Sequence, residues 1–363
     1  MRVLVVNAGS SSLKLSVLDG ELSVAAQELR ADRTQVDSDD VAAAVARLGP
    51  IDAVGHRIVH GGARYRQAVR IDAEVVRTLT ELSALAPLHQ AKSLAALEAV
   101  GGVLGDVPAV ACFDTAFHAT LPEAAHTYAL PQEWRERWGL RRYGFHGLAH
   151  ASAARRASEL LGRPPEGLRL VTCHLGAGAS LAAVQDGRSV DTTMGFTPLE
   201  GLVMATRSGS VDPGLLLWLL EHTGLSEHEL AHALEHESGL LALAGDADMR
   251  VVLRGVEEGD PRATLALEVY NHHVRAGIAA MAAAMGGLDA LVFCGGVGEH
   301  APEVRAGATE GLGFLGVGID PRRNVDGDGD RYVTASDGRI QTLVLAARED
   351  LEIVRQVHDL LLG

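Results

Sequence analysis

Residues 7–14 read NAGSSSLK and follow the apolar run 3–6, and the same plan returns where the apolar run 168–173 leads into HLGAGAS at 174–180. When residues 7–20 are laid on residues 174–187, Gly9 falls on Gly176, Val17 on Val184, and Asp19-Gly20 on Asp186-Gly187. Each window predicts a strand, a small-residue loop, a second strand and an Asp-Gly turn, a pair that tolerates positive φ. Loops of glycine and serine that present backbone N–H groups and hydroxyls suit an anion. Two of them point to two similar domains facing one polyphosphate. The simpler alternative is a pair of ordinary hairpins with chance identities, and the rest of the chain decides between the two.

A chain of 363 residues accommodates about two domains with substantial cores. Its 47% apolar content and 12 prolines describe a globular rather than a disordered protein. A net charge of −15 argues against nucleic acid or an anionic membrane as the main partner. Any bound anion therefore depends on local cations. Positive charge is almost all arginine; the lysines are Lys14 and Lys92, and Lys14 sits inside the first loop, where a compact ammonium suits phosphate. Met1-Arg2 runs straight into a strand, without the pattern of a signal peptide, and no apolar stretch reaches membrane-spanning length. Cys112, Cys173 and Cys294 are far apart, with no CxxC or His/Cys metal spacing, and read as buried thiols of a cytoplasmic protein.

Further along, helical spacing is expected over 38–48, 73–86, 89–101, 146–162, 213–222, 226–236 and 261–285, with another helix from Pro302 and a last one over 349–361. Strands are expected at 51–60, 107–113, 168–173, 180–185, 288–294 and 341–346. Gly162 followed by Pro164-Pro165 marks a boundary between the halves. Residues 191–210 read as a long irregular segment, GGVGEH as a glycine loop, and 320–340, with VDGDGDR and ASDGR, as a mobile surface segment. Strands alternating with helices define an α/β protein.

Five strings carry chemistry. In GHRIVH, strand alternation puts Arg57 and Val59 on one face, suiting a carboxylate or phosphate beside a short alkyl group. Taken alone, Arg57 fits an ion pair with a structural carboxylate equally well. Asp114 in ACFDTAFH leaves the end of a buried strand, a position common to catalytic groups of open α/β folds and to helix N-caps. RRYGFHG sets Phe145 and His146 between glycines. DTTMGFTPLEGLVMATRSGS, residues 191–210, has the length and Gly/Thr/Pro content of a functional loop, with Arg207 its single cation. FCGGVGEH at 293–300 lacks the G-x-G-x-x-G spacing of a dinucleotide site.

Taken together, NAGSSSLK, GHRIVHGG, LAPLH, FDTAFH, RYGFHG, HLGAGAS, DTTMGFTPLEGLVMATRSG, DMR at 248–250 and GGVGE resemble the acetate kinase family of the actin/hexokinase/Hsp70 superfamily. They stand in family order across nearly the whole chain. The resemblance implies an α/β, duplicated actin-like (ribonuclease H-like) two-domain fold with an interdomain catalytic cleft. It further implies an N-terminal domain over 1–148, completed by the helix 349–363, and a nucleotide-binding domain over 149–348. Asn7 and Glu349 would hold Mg²⁺, with Mn²⁺ the alternative ion, while Ser10, Ser12 and Lys14 face the phosphates of ATP or ADP. Arg57 and Arg207 would grip the carboxylate and the transferring group, His146 would hydrogen-bond that group, and Asp114 would position or activate the acyl oxygen. Val59, Leu88, Phe145 and Pro198 would wall the alkyl pocket. His174, Leu175, Gly176, Ala177 and Gly178, with Asp248, Met249 and Arg250 and with Gly296, Val297, Gly298, Glu299 and His300, would contact ATP. A homodimer is implied as well.

The chain departs from the family pattern at Ala177 (usually Asn), Ala205 (usually Gly), Ser210 (usually acidic) and His300 (usually Asn). AAREDLEIV replaces the usual Asn-Glu-Glu, so Glu349 and Asp350 both stand as the metal ligand. The chain is also shorter than most relatives between residues 20 and 90. The implied reaction is reversible phosphoryl transfer from ATP to acetate, which needs alignment and charge cancellation more than a base, because a carboxylate is already a nucleophile. Propionate or another short-chain carboxylate is the nearest alternative, since one methylene changes discrimination by about 1–3 kcal/mol. A sugar kinase would want carboxamides and carboxylates for hydroxyls. A non-catalytic nucleotide-dependent scaffold would not need Arg57, Arg207 and His146 together.

Overall fold

The computed structural model describes residues 1–8, 12–30, 38–85 and 87–363, and of residues 30, 38, 84–85 and 87–89 it describes the backbone alone. Ser10 thus lies outside the described residues, as does the side chain of Leu88. The chain forms two compact units. The first comprises Met1–Ala119, Phe145–Ser152 and Arg348–Gly363, and the second Thr120–Gly144 and Ala153–Ala347.

The first unit is built on β1 (Arg2–Ala8), β2 (Ser12–Asp19), β3 (Leu22–Arg30), β4 (Ala53–Ile58), β5 (Val69–Arg70) and β6 (Ala109–Phe113), in the order β3-β2-β1-β4-β6-β5. β1 pairs antiparallel with β2 and parallel with β4, and β4 pairs parallel with β6. Alternation sends the apolar run of β1 to both faces, as a sheet covered on both sides requires. Leu4 and Val6 pack with Val41, Val45, Val100 and other residues of the helices Ser38–Leu48 and Pro87–Val103. Val3 and Val5 pack on the opposite face with Ile353, Val354 and Val357 of the last helix, Glu349–Leu362. The chain terminus therefore completes the first core.

The second unit repeats this plan with β7 (Arg169–Leu175), β8 (Ala179–Gln185), β9 (Arg188–Thr192), β10 (Ala290–Cys294), β11 (Arg331–Tyr332) and β12 (Gln341–Val344), in the order β11-β12-β10-β7-β8-β9. The parallel and antiparallel pairings correspond one for one. The internal repeat extends to irregularities: the register shifts between Val17 and Leu18 in one hairpin and between Ala183 and Val184 in the other. The helix Pro261–Ala284 begins at an Asp260 cap with proline in its first turn. It buries Ala263, Ala266, Tyr270, Val274, Ile278 and Met281, a stripe at three- and four-residue steps.

Three expectations need correction. GGVGEH is not an open loop but the short helix Gly295–His300. Residues 191–210 begin in the ladder, because β9 runs to Thr192. The segment 320–340 holds a helix, Pro321–Val325, whose Asp320 side chain accepts from the Arg322 and Arg323 N–H groups, and the edge strand β11. Its Asp/Gly content is turn and cap chemistry within a built segment.

Four histidines of the first unit lie in its interior, one of them His150; of the other three, His56 is 2% exposed, and His60 and His118 are fully buried. Burial lowers each of their pKa values to about 4. All three are neutral in the fold at pH 7, whereas an unfolded imidazole titrates near about 6.5. Between those values the unfolded chain binds more protons, so stability falls as pH falls. The urea midpoint should drop steadily from pH 6.5 to 4, with about 3 kcal/mol per imidazole at full titration. His56→Leu should flatten that slope by one share. A midpoint independent of pH over this range would show that the imidazoles protonate within the fold.

Candidate active site

The polar centre of the first unit forms where β1, β4 and β6 end. Parallel pairing puts Arg57, near the end of β4, opposite Cys112, so Asp114, just beyond β6, comes within reach of the guanidinium. Arg57 Nε and Nη2 donate to the Asp114 carboxylate at 3.1 and 2.7 Å, and Nη1 donates to Asn7 Oδ1 at 3.0 Å. Asn7 Nδ2 donates to Glu349 Oε2 at 3.3 Å, and that oxygen lies 3.7 Å from Arg57 Nη1. Asn7, Arg57, Asp114 and Glu349 are therefore one cluster, drawn from three strand ends and the N-terminus of the last helix. The neighbouring Asp350 instead pairs with Arg348 at 3.0 Å.

Asp114 is 1% exposed. Burial raises its pKa, the Arg57 charge pulls it back down, and Glu349 raises it. Burial likewise opposes the charge on Arg57, but Asp114 and Glu349 outweigh it and raise the arginine's pKa. The bidentate contact keeps this pair ionised. Of the five guanidinium N–H groups, the pairings above leave one on Nη1 and one on Nη2 to offer elsewhere.

The turn carrying Phe145 and His146 is fixed to the same strand end. The Gly147 N–H donates to Asp114 O at 2.8 Å, and a Cβ on Gly147 would stand 2.2 Å from that oxygen, so only glycine fits there. His146 holds φ 56°, a strained conformation for a residue with a side chain. Neutral His118, a residue the motif reading passed over, donates from Nε2 to Phe145 O at 3.0 Å. The Phe145 ring is 1% exposed and meets the His60 ring edge-on. Val59 is half-buried just past β4. Lys14 lies directly across from Asn7 in the β1–β2 ladder and is exposed. Ser12, two residues before it, donates to Glu28 at 2.6 Å.

In the second unit Arg207 Nη1 donates to Pro198 O at 2.8 Å, and burial lowers the arginine's pKa, with Glu235 opposing. His174 and Leu175 end β7. Gly176 N–H then donates to Gly178 O at 3.0 Å, and the exposed Ala177 accepts from Ala205 N–H at 3.1 Å. Asp248 caps the helix Met249–Glu257 and also binds the Arg250 side chain, which holds its carboxyl down at about 2. Met249 is buried. The helix Gly295–His300, carrying Gly296, Val297, Gly298, Glu299 and an exposed His300, is tied down by Arg305, another residue not singled out from sequence. That arginine is 1% exposed and donates to Gly298 O at 2.8 Å, Glu299 O at 2.9 Å and Asn324 Oδ1 at 2.7 Å. Burial lowers its pKa to about 10. A cation inside an apolar run five residues after GGVGEH was the available signal.

The repeated sheet of six matched strand positions, with polar side chains at the strand ends, defines the duplicated fold of the actin/hexokinase/Hsp70 superfamily. A model of the acetokinase family matches residues 31–355. The acetate kinase of Gloeobacter violaceus is 51% identical over 314 residues, covering 86% of this chain and 77% of its own. The crystal structure of Porphyromonas gingivalis acetate kinase superposes with a TM-score of 0.91 at 34% identity, covering 99% of each chain. A propionate kinase from Francisella tularensis superposes with a TM-score of 0.93 at 33% identity, covering 99% of this chain and 100% of its own. The chain belongs to the acetokinase family.

Proposed function

We propose that the chain is a carboxylate kinase that reversibly transfers the γ-phosphoryl group of ATP to acetate, giving acetyl phosphate and ADP. The observation that carries this reading is Arg57, a guanidinium held by Asp114 and Asn7 beside Glu349, with two terminal N–H groups that no hydrogen bond among the described residues takes up and that can meet a carboxylate or phosphoryl oxygen. An acetate oxygen attacks the γ-phosphorus as the bond to the ADP oxygen breaks, so no proton has to be removed. Asp114, fully engaged with Arg57, orients that arginine and does not act as a base. Arg207 and Arg57 offset charge on the transferring group, and His146 donates a hydrogen bond to it. Val59, Leu88, Phe145 and Pro198 wall the methyl group.

The nucleotide falls to Ser10, Ser12 and Lys14, to 174–178, to Asp248–Arg250 and to 296–300. The corresponding functional division is 1–148 with 349–363, and 149–348. Glu349 and Asn7 are hard oxygen donors, one carboxylate and one amide, and so fit Mg²⁺, which takes few protein ligands beside substrate phosphates. Bound there, the ion would neutralise phosphate charge. Among the described residues no helix is long and apolar enough to cross a membrane. The unbridged Cys112, Cys173 and Cys294 accord with a cytoplasmic location, testable by cell fractionation.

Turnover of ATP with acetate, with propionate and with no acceptor tests the reaction. We expect acetate to be the better acceptor. A propionate preference would select the second reading, which the propionate kinase likeness favours. Arg207→Ala should lower kcat by roughly 10³-fold with folding intact. Val59→Ala should raise the propionate-to-acetate ratio of kcat/KM by up to roughly tenfold; an unchanged ratio removes Val59 from the pocket.

Glu349→Ala should raise the Mg²⁺ concentration needed for half-maximal rate and lower kcat, whereas Asp350→Ala, which loses only the partner of Arg348, should do much less. The reverse order would shift the metal ligand by one residue.

A homodimer accords with the helix Pro213–His222, PGLLLWLLEH, which buries no residue and leaves Leu217 63% and Trp218 52% exposed. Light scattering should give about twice 38.2 kDa, and Leu217→Glu with Trp218→Glu should return the monomer mass. A monomeric wild type would sink the proposal.

A further inference from the structure

We infer that Glu200 is the positioning residue for Arg207, acting through a clamp with Tyr128 and Arg142 that grips Thr193, Met194 and Phe196 in the segment leading to it. The inference rests on the phosphotransferase reading above, which makes Arg207 part of the reacting site.

Glu200 Oε2 accepts from the Tyr128 hydroxyl at 2.5 Å, and Oε1 accepts from Arg142 Nη2 at 2.7 Å. Each partner then binds the chain N-terminal to Glu200. Arg142 Nη1 donates to Thr193 O at 3.1 Å and Met194 O at 3.0 Å, and Tyr128 Oη accepts from the Phe196 N–H at 2.9 Å. Between them, Gly195 O accepts from the Tyr143 and Gly144 N–H groups at 3.0 and 3.2 Å. The Arg142 guanidinium also lies over the Tyr128 ring, 5.6 Å from its centroid. Glycine at 195 is a requirement of this arrangement, since a Cβ there would fall 1.7 Å from Glu200 Oε2 and 2.3 Å from the Tyr128 hydroxyl. Ser210 closes the other end: its hydroxyl accepts from the Gly201 N–H at 3.1 Å, and its own N–H donates to Gly201 O at 3.0 Å.

Pro198 lies just beyond the gripped stretch, between Phe196 and the Glu200 carboxylate that anchors the clamp, and its carbonyl accepts from Arg207 Nη1 at 2.8 Å. The orientation of Arg207 is thus inherited from a carbonyl whose flanks are set by Glu200. A carboxylate is needed at this point because it must accept from a phenol and a guanidinium at once, while the phenol oxygen keeps a lone pair for Phe196. Burial, then the adjacent Glu200 carboxylate, raises the pKa of Tyr128, so it remains the donor at all working pH values.

The experiment compares Glu200→Gln and Tyr128→Phe with wild type in the full chain, with and without Arg207→Ala. Glu200→Gln should lower kcat by about 10- to 100-fold, the scale of a misplaced reacting group, and leave the KM for ATP within about twofold. Tyr128→Phe should lower kcat in the same direction. In the Arg207→Ala background neither change should lower kcat further, because both act through that arginine. A loss of general stability would multiply onto Arg207→Ala instead. Amide exchange at Phe196, Tyr143 and Gly144 should rise in Glu200→Gln by about tenfold or more. Wild-type kcat in Glu200→Gln, the same fold loss with and without Arg207, or unchanged exchange at these amides would each overturn the inference while leaving the reaction assignment standing. A wild type that phosphorylates neither acetate nor propionate would overturn both.

Discussion

The ion pair between Arg57 and Asp114 is the constraint on which the first unit's polar centre depends. A buried carboxylate without a partner would take up a proton, and a buried guanidinium without one would stay charged at a cost of several kcal/mol. Parallel pairing of β4 with β6 brings the two together where both strands end, and the strand end of β1 adds Asn7 to the same guanidinium. The Asp114 backbone in turn carries the turn at Gly147, so the arginine's orientation and the strained φ of His146 have one anchor. Breaking the pair by removing one partner would leave the other charge buried and uncompensated.

The two units solve one problem in two ways. The first places an arginine by a buried carboxylate in direct contact, whereas the second places Arg207 by a carbonyl whose flanks are held by a carboxylate. Arg305 follows a third pattern, a buried cation neutralised by the carbonyl ends of a short helix and by Asn324. In each case the charge is held by acceptors fixed in backbone or in the core, which limits how far the guanidinium can move.

Much of the fold was legible because the repeat is physical as well as literal. The alignment that set Gly9 on Gly176 carries the bounds of β1 onto those of β7, and even the register irregularity recurs within one residue. A long amphipathic element, Pro261–Ala284, was also readable from its Asp260 cap and its periodicity. What escaped was short or glycine-rich. β5 has two residues, too few for any alternation, and GGVGEH hides a helix because helix propensity argues against three glycines in six residues, yet Arg305 holds the carbonyls of Gly298 and Glu299. At the site, Arg57 and Asp114 could be named from their strand ends. Glu200, Tyr128 and His118 could not, since their value lies in partners distant in sequence.

The composition of the first unit has a consequence for biosynthesis. All six strands of its sheet are made before those of the second unit, but Ile353, Val354 and Val357, which cover one face of that sheet, are made after them. Until then Val3, Val5 and Val110 have no lid, and the Arg57 cluster lacks Glu349. The second unit, by contrast, has all its strands before residue 345. Although domains generally fold N-terminal first during synthesis, here the first sheet must wait for a segment that follows the whole second unit, and its bare face is the surface a chaperone would meet.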